Sequence, residues 1–306
     1  MFENEQLWSR DNDVFLVVPA KSGTTWLMAT LHYIRGHGNP PPFRDVYEEI
    51  MWPEFIYYPG QTLEERVELY RNVSKKYPFS IYKTHKGPPE LKIRKNAKYI
   101  ICVRNFFDVA ASFRSFLRHH CESFAAFWGG FPPSAGQLVQ YDDDEKIFAD
   151  YLFTTALPGF IFHPITGFWP YRNLENVLFI HYLDLVNQPK ITIKIIADFI
   201  GVSLHEEEVE SIAVKISYEE MKKSAHLYSL QHIYDNFKDQ RKVPQYVDCF
   251  LLPNSMLQLG PDRKGSMAFS QDFNDRLIKL SEDVFGRAVS KWILEGGNRP
   301  DAELPQ

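Results

Sequence analysis

The chain has 306 residues, a formal net charge of -5, 44% hydrophobic and 15% aromatic content. That size and apolar share suit one large core, and the acidic balance excludes a general nucleic-acid binder, so any basic function is local. Three cysteines (Cys102, Cys121, Cys249) form neither a disulfide framework nor a C-x-x-C metal pattern and read as reduced structural thiols. No run of about 18 apolar residues occurs, and the polar start MFENEQLWSRDND lacks a signal-peptide core, so a cytoplasmic protein without a membrane partner is expected.

In chain order, the first informative stretch is VFLVVPAKSGTTWLMATLHYI at 14–34. Val14 to Val18 read as a short buried strand, Lys21-Ser22-Gly23-Thr24-Thr25 as a turn, and Trp26, Leu27, Leu31 and Ile34 as a helix ending near Gly36. Strand, glycine turn and helix start together make an anion cradle. First-turn N–H groups lack intrahelical partners, and the helix dipole favours negative charge there. Lys21 and the hydroxyls of Ser22, Thr24 and Thr25 add a charge and donors.

Residues 43–60 crowd aromatics (Trp52, Phe55, Tyr57 among them) with Glu48, Glu49 and Glu54, as a loop that folds over something flat. Thr62-x-x-Glu65 opens a capped helix over 62–76. Apolar strands follow at 79–85, ending in Lys83-Thr84-His85, at 98–105, ending in Arg104, and at 177–182, ending in Tyr182. Helical patterns cover the residues after Arg104, about 145–157, 188–200 up to Gly201, 205–216, 271–285 and 287–295; 121–141 reads as a Gly-, Pro- and Phe-rich flap. The predicted fold is α/β: a single domain over 1–306 with a doubly wound, mostly parallel sheet flanked by helices. Ligands bind at the carboxyl ends of such strands, where Lys21, Lys83, His85, Arg104 and Tyr182 gather.

The triphosphate-binding loop reads G-x-x-x-x-G-K-[ST], whereas Lys21 precedes Gly23 here and no earlier Gly stands at the required spacing. A P-loop small-molecule kinase using ATP and magnesium is therefore the alternative reading. PAKSGTTW at 19–26 resembles the P-K-S-G-T-T-W signature of the cytosolic-type sulfotransferases, which use 3′-phosphoadenosine 5′-phosphosulfate (PAPS). Arg104 with Ser112 resembles the family's R-x7-S element, and Arg263-Lys264-Gly265 its R-K-G motif; both imply a grip on the 3′-phosphate. Pro261, Asp262 and Ala268 depart from the usual surroundings of R-K-G.

Ser217, Tyr218 and Met221 resemble the family's T-S-F-x-x-M segment, with Ile216 in place of Thr. The resemblance implies that Tyr218 and Trp26 flank the adenine. It also implies that His85 of K-T-H is the general base while Lys21 and Lys83 stabilise charge on the transferred group. No metal is implied; His119, His120 and Cys121 are adjacent and do not face one site on a helix. An acceptor pocket is expected near His85, with Trp52, Phe55, His163 and Trp169 in its walls, for a small molecule with a hydroxyl or amine. Glu48, Glu49 and Glu54 read as solvated acids or as a mark of a cationic acceptor. The family's C-terminal dimerisation motif is not recognisable after Gly265, which leaves monomer and homodimer open.

Overall fold

The computed structural model describes residues 8–128, 144–247 and 265–305. Its centre is β1 (Val14–Val17), every residue of which is buried. The strand pairs in parallel with β2 (Ile81–Thr84) on one side and β3 (Lys98–Val103) on the other; β4 (Val177–His181) extends the sheet beyond β3 in the order β2-β1-β3-β4. All four strands run the same way, so their carboxyl ends share one rim.

Alternation along β1 divides the core. Val14, Leu16 and Val18 face α1 (Thr24–Arg35) through Leu27, Met28 and Leu31, while Phe15 and Val17 meet Trp8, Tyr82, Tyr99 and Phe168 on the opposite face. A third cluster joins α3 (Phe106–Arg118) to the helix Gln271–Glu295 through Phe106, Val109, Phe285 and Val289.

The predicted elements recur with small differences. The helix α2 (Leu63–Ser74) carries the capping box of Thr62 and Glu65. Gly201 ends Pro189–Ile200 with φ 77°, and Gly286, at φ 72° and ψ 158°, breaks Gln271–Glu295 where two helices were expected. The 43–60 segment holds one 3-10 turn (Val46–Glu48) and a bridge from Met51 to Tyr82 that lays it along the β2 edge. Between Glu145–Tyr151 and His163–Phe168 the chain stays helical as a π-helical segment, Leu152–Phe162. Pro158 inside it lacks an N–H for an α-type bond, which a widened turn accommodates. Most of the expected flap, its residues 129–141, lies outside the described residues. No helix among the described residues is long and apolar enough to cross a membrane.

Candidate active site

The turn after β1 is shaped by its main chain. Val18 N–H donates to the Thr84 carbonyl (3.0 Å), Ala20 N–H to Phe160 (2.9 Å) and Ser22 N–H to Pro19 (3.0 Å). Lys21 takes φ 66°, and Gly23, the N-cap of α1, takes φ 96° with no side-chain cap on the helix. The first-turn N–H groups of Thr24, Thr25 and Trp26 are thus free of a capping side chain. Gly23 is required twice over: its φ is left-handed, and a Cβ there would lie 2.8 Å from Tyr182 Cδ2. Ser22 and Thr25 are buried, and Thr24 is half-buried.

Tyr182, at the end of β4, joins the pieces. Its ring stands edge-on to Trp26 (5.3 Å between centroids) and lies under the Arg104 guanidinium (4.3 Å). Arg104, 7% exposed at the end of β3, donates from Nη1 to the Lys21 carbonyl (3.2 Å) and pairs with Asp108 (3.9 Å). Asp108 Oδ1 also accepts from Gly265 N–H (2.9 Å), which docks the R-K-G glycine on the start of α3. A Cβ on Gly265 would fall 2.3 Å from the Phe107 carbonyl carbon, so only glycine fits. Ser112 sits half-buried one turn beyond Asp108 on α3; Arg263 and Lys264 lie outside the described residues.

Lys21 Nζ rests over the Phe116 ring at 4.3 Å. Burial and the neighbouring Arg104 push its pKa down to about 7. No carboxylate partners it among the described residues.

The K-T-H strand end faces this turn. His85 Nδ1 meets the Val18 carbonyl at 2.5 Å, so Nδ1 carries the proton and Nε2 keeps a lone pair. Burial and the charge of Lys83 hold the imidazole well below its usual pKa, with Lys21 and Lys86 acting in the same direction. Lys83, 2% exposed, places Nζ over Trp52 at 2.7 Å from the ring centre. Burial holds its pKa well below the ordinary lysine value, with Glu54 opposing that shift and Lys21 adding to it. Trp52 stands edge-on to His85 (5.3 Å) and stacks on Phe55 (4.4 Å).

Other expected residues take different roles. Ser217 Oγ caps Tyr218–Lys223 by accepting from Glu220 N–H (3.3 Å). Met221 is buried in the cluster against which Trp26 packs, and Tyr218 lies half-buried with Lys222 above its ring (5.6 Å). His163 pairs with Glu90 (2.9 Å), its carbonyl against Gly87 just after K-T-H.

Trp169 is not a pocket wall. It is fully buried against Phe179 and Trp292, with its indole N–H on the Ala302 carbonyl (2.7 Å). The cysteines also need correction: Cys102 is free and buried, but Cys121 is disulfide-bonded, which spacing in the sequence does not disclose. Cys249 lies outside the described residues.

The three acids of the 43–60 segment are not solvated surface groups. Glu48 and Glu49 are structural: Glu48 meets Arg44 and His232, and Glu49 meets Lys76 and Tyr77. Glu54 binds the K-T-H end, a role missed because it lies 31 residues from His85 in a segment without periodicity.

Residues 11–244 match the family model of the sulfotransferase domain. The chain belongs to the sulfotransferase family. It is 27% identical over 215 residues to the rabbit amine sulfotransferase, covering 70% of this chain and 64% of that relative, less than two thirds of its length. It is 27% identical over 239 residues to human sulfotransferase 2A1, covering 76% of each. Among solved structures, mouse sulfotransferase SULT7A1 complexed with PAP superposes with a TM-score of 0.61 at 22% identity, covering 95% of this chain and 92% of the other. Retinol dehydratase in complex with androsterone and PAP gives 0.63 at 17%, covering 92% and 84%. These two likenesses establish a shared fold.

Proposed function

We propose that this chain is a single sulfotransferase domain over residues 1–306 that moves the sulfuryl group from PAPS to a hydroxyl or amine of a small-molecule acceptor. The observation that carries it is the Lys21 ammonium, held against Arg104 without a carboxylate partner among the described residues, across from an imidazole whose Nε2 keeps its lone pair. Two adjacent cations, Arg104 buried and Lys21 half-buried, and an uncapped helix start favour an anion.

The residues fit a nucleotide with two separated phosphates. Lys21, Ser22, Gly23, Thr24 and Thr25 would hold the 5′ side; Arg104, Ser112, Arg263, Lys264 and Gly265 would hold the 3′-phosphate. Trp26, Tyr182, Ser217, Tyr218 and Met221 would border the base. When bound, PAPS supplies an activated sulfuryl group for in-line transfer.

His85 Nε2 takes the proton from the acceptor, and the Val18 carbonyl fixes the ring in the tautomer that does so. Lys21 and Lys83 place positive charge where negative charge develops. Positioning and electrostatics supply most of the acceleration, by analogy with loose phosphoryl transfer. Relatives named amine sulfotransferase and 3-alpha-hydroxysteroid sulfotransferase support both acceptor classes.

Thermal unfolding with adenosine 3′,5′-bisphosphate, compared with ADP and with ATP plus magnesium, tests this reading. At about 100 times its dissociation constant the bisphosphate adds about 2.7 kcal/mol of stability. A shift confined to ATP plus magnesium would instead establish the kinase.

A further inference from the structure

Glu54 reaches the transfer site from a segment that carries no catalytic motif. Its Oε1 accepts from the His85 main-chain N–H at 2.6 Å and from the Thr84 hydroxyl at 3.0 Å, and Thr84 Oγ1 accepts in turn from Lys86 N–H at 3.0 Å. Oε2 is buried and has no hydrogen-bond partner among the described residues. The segment is itself anchored. The Tyr70 hydroxyl donates to the Trp52 carbonyl (2.8 Å), Arg66 Nη1 to the Pro53 carbonyl (3.1 Å), and Lys83 N–H to the Met51 carbonyl (2.8 Å). Two residues before Glu54, Trp52 lies beneath the Lys83 ammonium and edge-on to His85.

A carboxylate with one oxygen buried and bare is a costly way to hold a loop, unless its charge is also used. Among the described residues, the titratable groups near Lys83 are Lys21 from the turn after β1, His85 just past the end of its own strand, and Tyr47 and Glu54 from the 45–55 segment. Glu54 is the acid among them. We propose that Glu54 is the positioning residue of the transfer site: Oε1 fixes the main chain that carries His85, and the carboxylate charge favours the ammonium form of Lys83 beside Lys21. The proposal deepens the sulfotransferase reading and rests on it for the roles of His85 and Lys83.

Two variants separate the two tasks. Glu54→Gln keeps an acceptor oxygen and loses the charge; Glu54→Ala loses both. In full-length protein labelled with [13C]lysine, the Cε signal of Lys83 is assigned by its loss in Lys83→Arg and followed with pH. Its midpoint falls by about one unit or more in Glu54→Gln, because Glu54 acts to raise it.

With PAPS and 2-naphthol, kcat falls about tenfold in Glu54→Gln and about 10²–10³-fold in Glu54→Ala. The alkaline limb of kcat moves to lower pH in Glu54→Gln, while KM for PAPS stays within about twofold. An unchanged Lys83 midpoint in Glu54→Gln overturns the proposal whatever the activity does. A lowered midpoint with wild-type kcat overturns the positioning role. If adenosine 3′,5′-bisphosphate does not stabilise the wild type, the functional reading fails, and the Lys83 titration still decides the electrostatic role of Glu54.

Discussion

The two nitrogens of His85 are placed differently: Nδ1 donates to the Val18 carbonyl, and Nε2 keeps the lone pair that the proposed function uses for the acceptor proton. Because the imidazole is held well below its usual pKa, it is neutral at pH 7, and basic form is lost only on acidification. The acid limb of kcat therefore lies below about pH 6.5 in a pH–rate profile. Replacing His85 by Asn lowers kcat about 10²–10⁴-fold, and calorimetry finds the bisphosphate affinity unchanged; a parallel loss of affinity would place His85 in binding instead. Lys21 titrates in the opposite sense. Its pKa near 7 means that an anionic ligand must recruit a proton above that pH, so the affinity for the bisphosphate weakens toward about tenfold per pH unit there. The same depression affects stability. Below about pH 7 the fold buries a charged ammonium; between about 7 and about 10.4 the unfolded chain holds a proton that the fold does not, so this contribution becomes less unfavourable as pH rises. Lys21→Met consequently raises stability at pH 7 by about 1–3 kcal/mol, reduced by screening at a half-buried site, while abolishing the bisphosphate-induced shift. A variant less stable than wild type would refute the buried-charge account.

Among the elements, α3 is the one on which the proposed 3′-phosphate residues converge: Arg104 precedes it, Ser112 lies on it and Gly265 docks at its start. Its N-cap Asn105 accepts from Phe107 and Asp108 N–H and donates to the Leu294 carbonyl (2.6 Å), and Asp108 then receives Gly265. A methyl group at position 265 cannot be absorbed by a flexible side chain, since its neighbours are main-chain atoms of Phe107 and Asp108. Gly265→Ala should cost about 1–3 kcal/mol in unfolding and about tenfold or more in bisphosphate affinity, read together by thermal unfolding and calorimetry. Loss of stability with intact affinity would detach Gly265 from the site. The parts of this arrangement that the sequence discloses are local: a strand ending in a polar group, a glycine turn, a capping box, all written within a few neighbouring residues. Glu54 was not legible because its partner is 31 residues away across the sheet edge. Trp169 misled for a different reason: an aromatic near a His in a Gly- and Pro-containing stretch looks the same whether it lines a pocket or fills a core. Ser217 carries a contact that the motif match does not disclose, since its Oγ accepts a hydrogen bond as a helix cap.

At the scale of the whole molecule, the C-terminal stretch closes over the side of the sheet opposite β2. Arg172 meets Asp301 (3.3 Å) and Glu303 (2.7 Å), Arg299 donates to the Arg172 carbonyl (2.7 Å), and Trp169 donates to Ala302. Both acids are more than four-fifths or about four-fifths exposed (87% and 80%), so those ion pairs add little, and the buried indole hydrogen bond with the packing of Ala302 and Leu304 dominates. Removing residues 299–306 is expected to lower stability by about 1–3 kcal/mol, a melting shift of a few degrees in a chain of this size, with bisphosphate binding retained. Lost binding would show that the tail supports the site directly. The turn after β1 presents a contrasting economy of means. Its ties at Val18, Ala20 and Ser22 run from main chain to main chain, and His85 too anchors on a carbonyl. Such ties are indifferent to side-chain identity, proline excepted. Drift in the surrounding sequence can therefore proceed a long way before the turn changes shape, in keeping with a fold shared with solved structures at 17% and 22% identity. Mutational tolerance is thereby built into the backbone, and selection need police only the few positions whose side chains or bare α-carbons have no substitute.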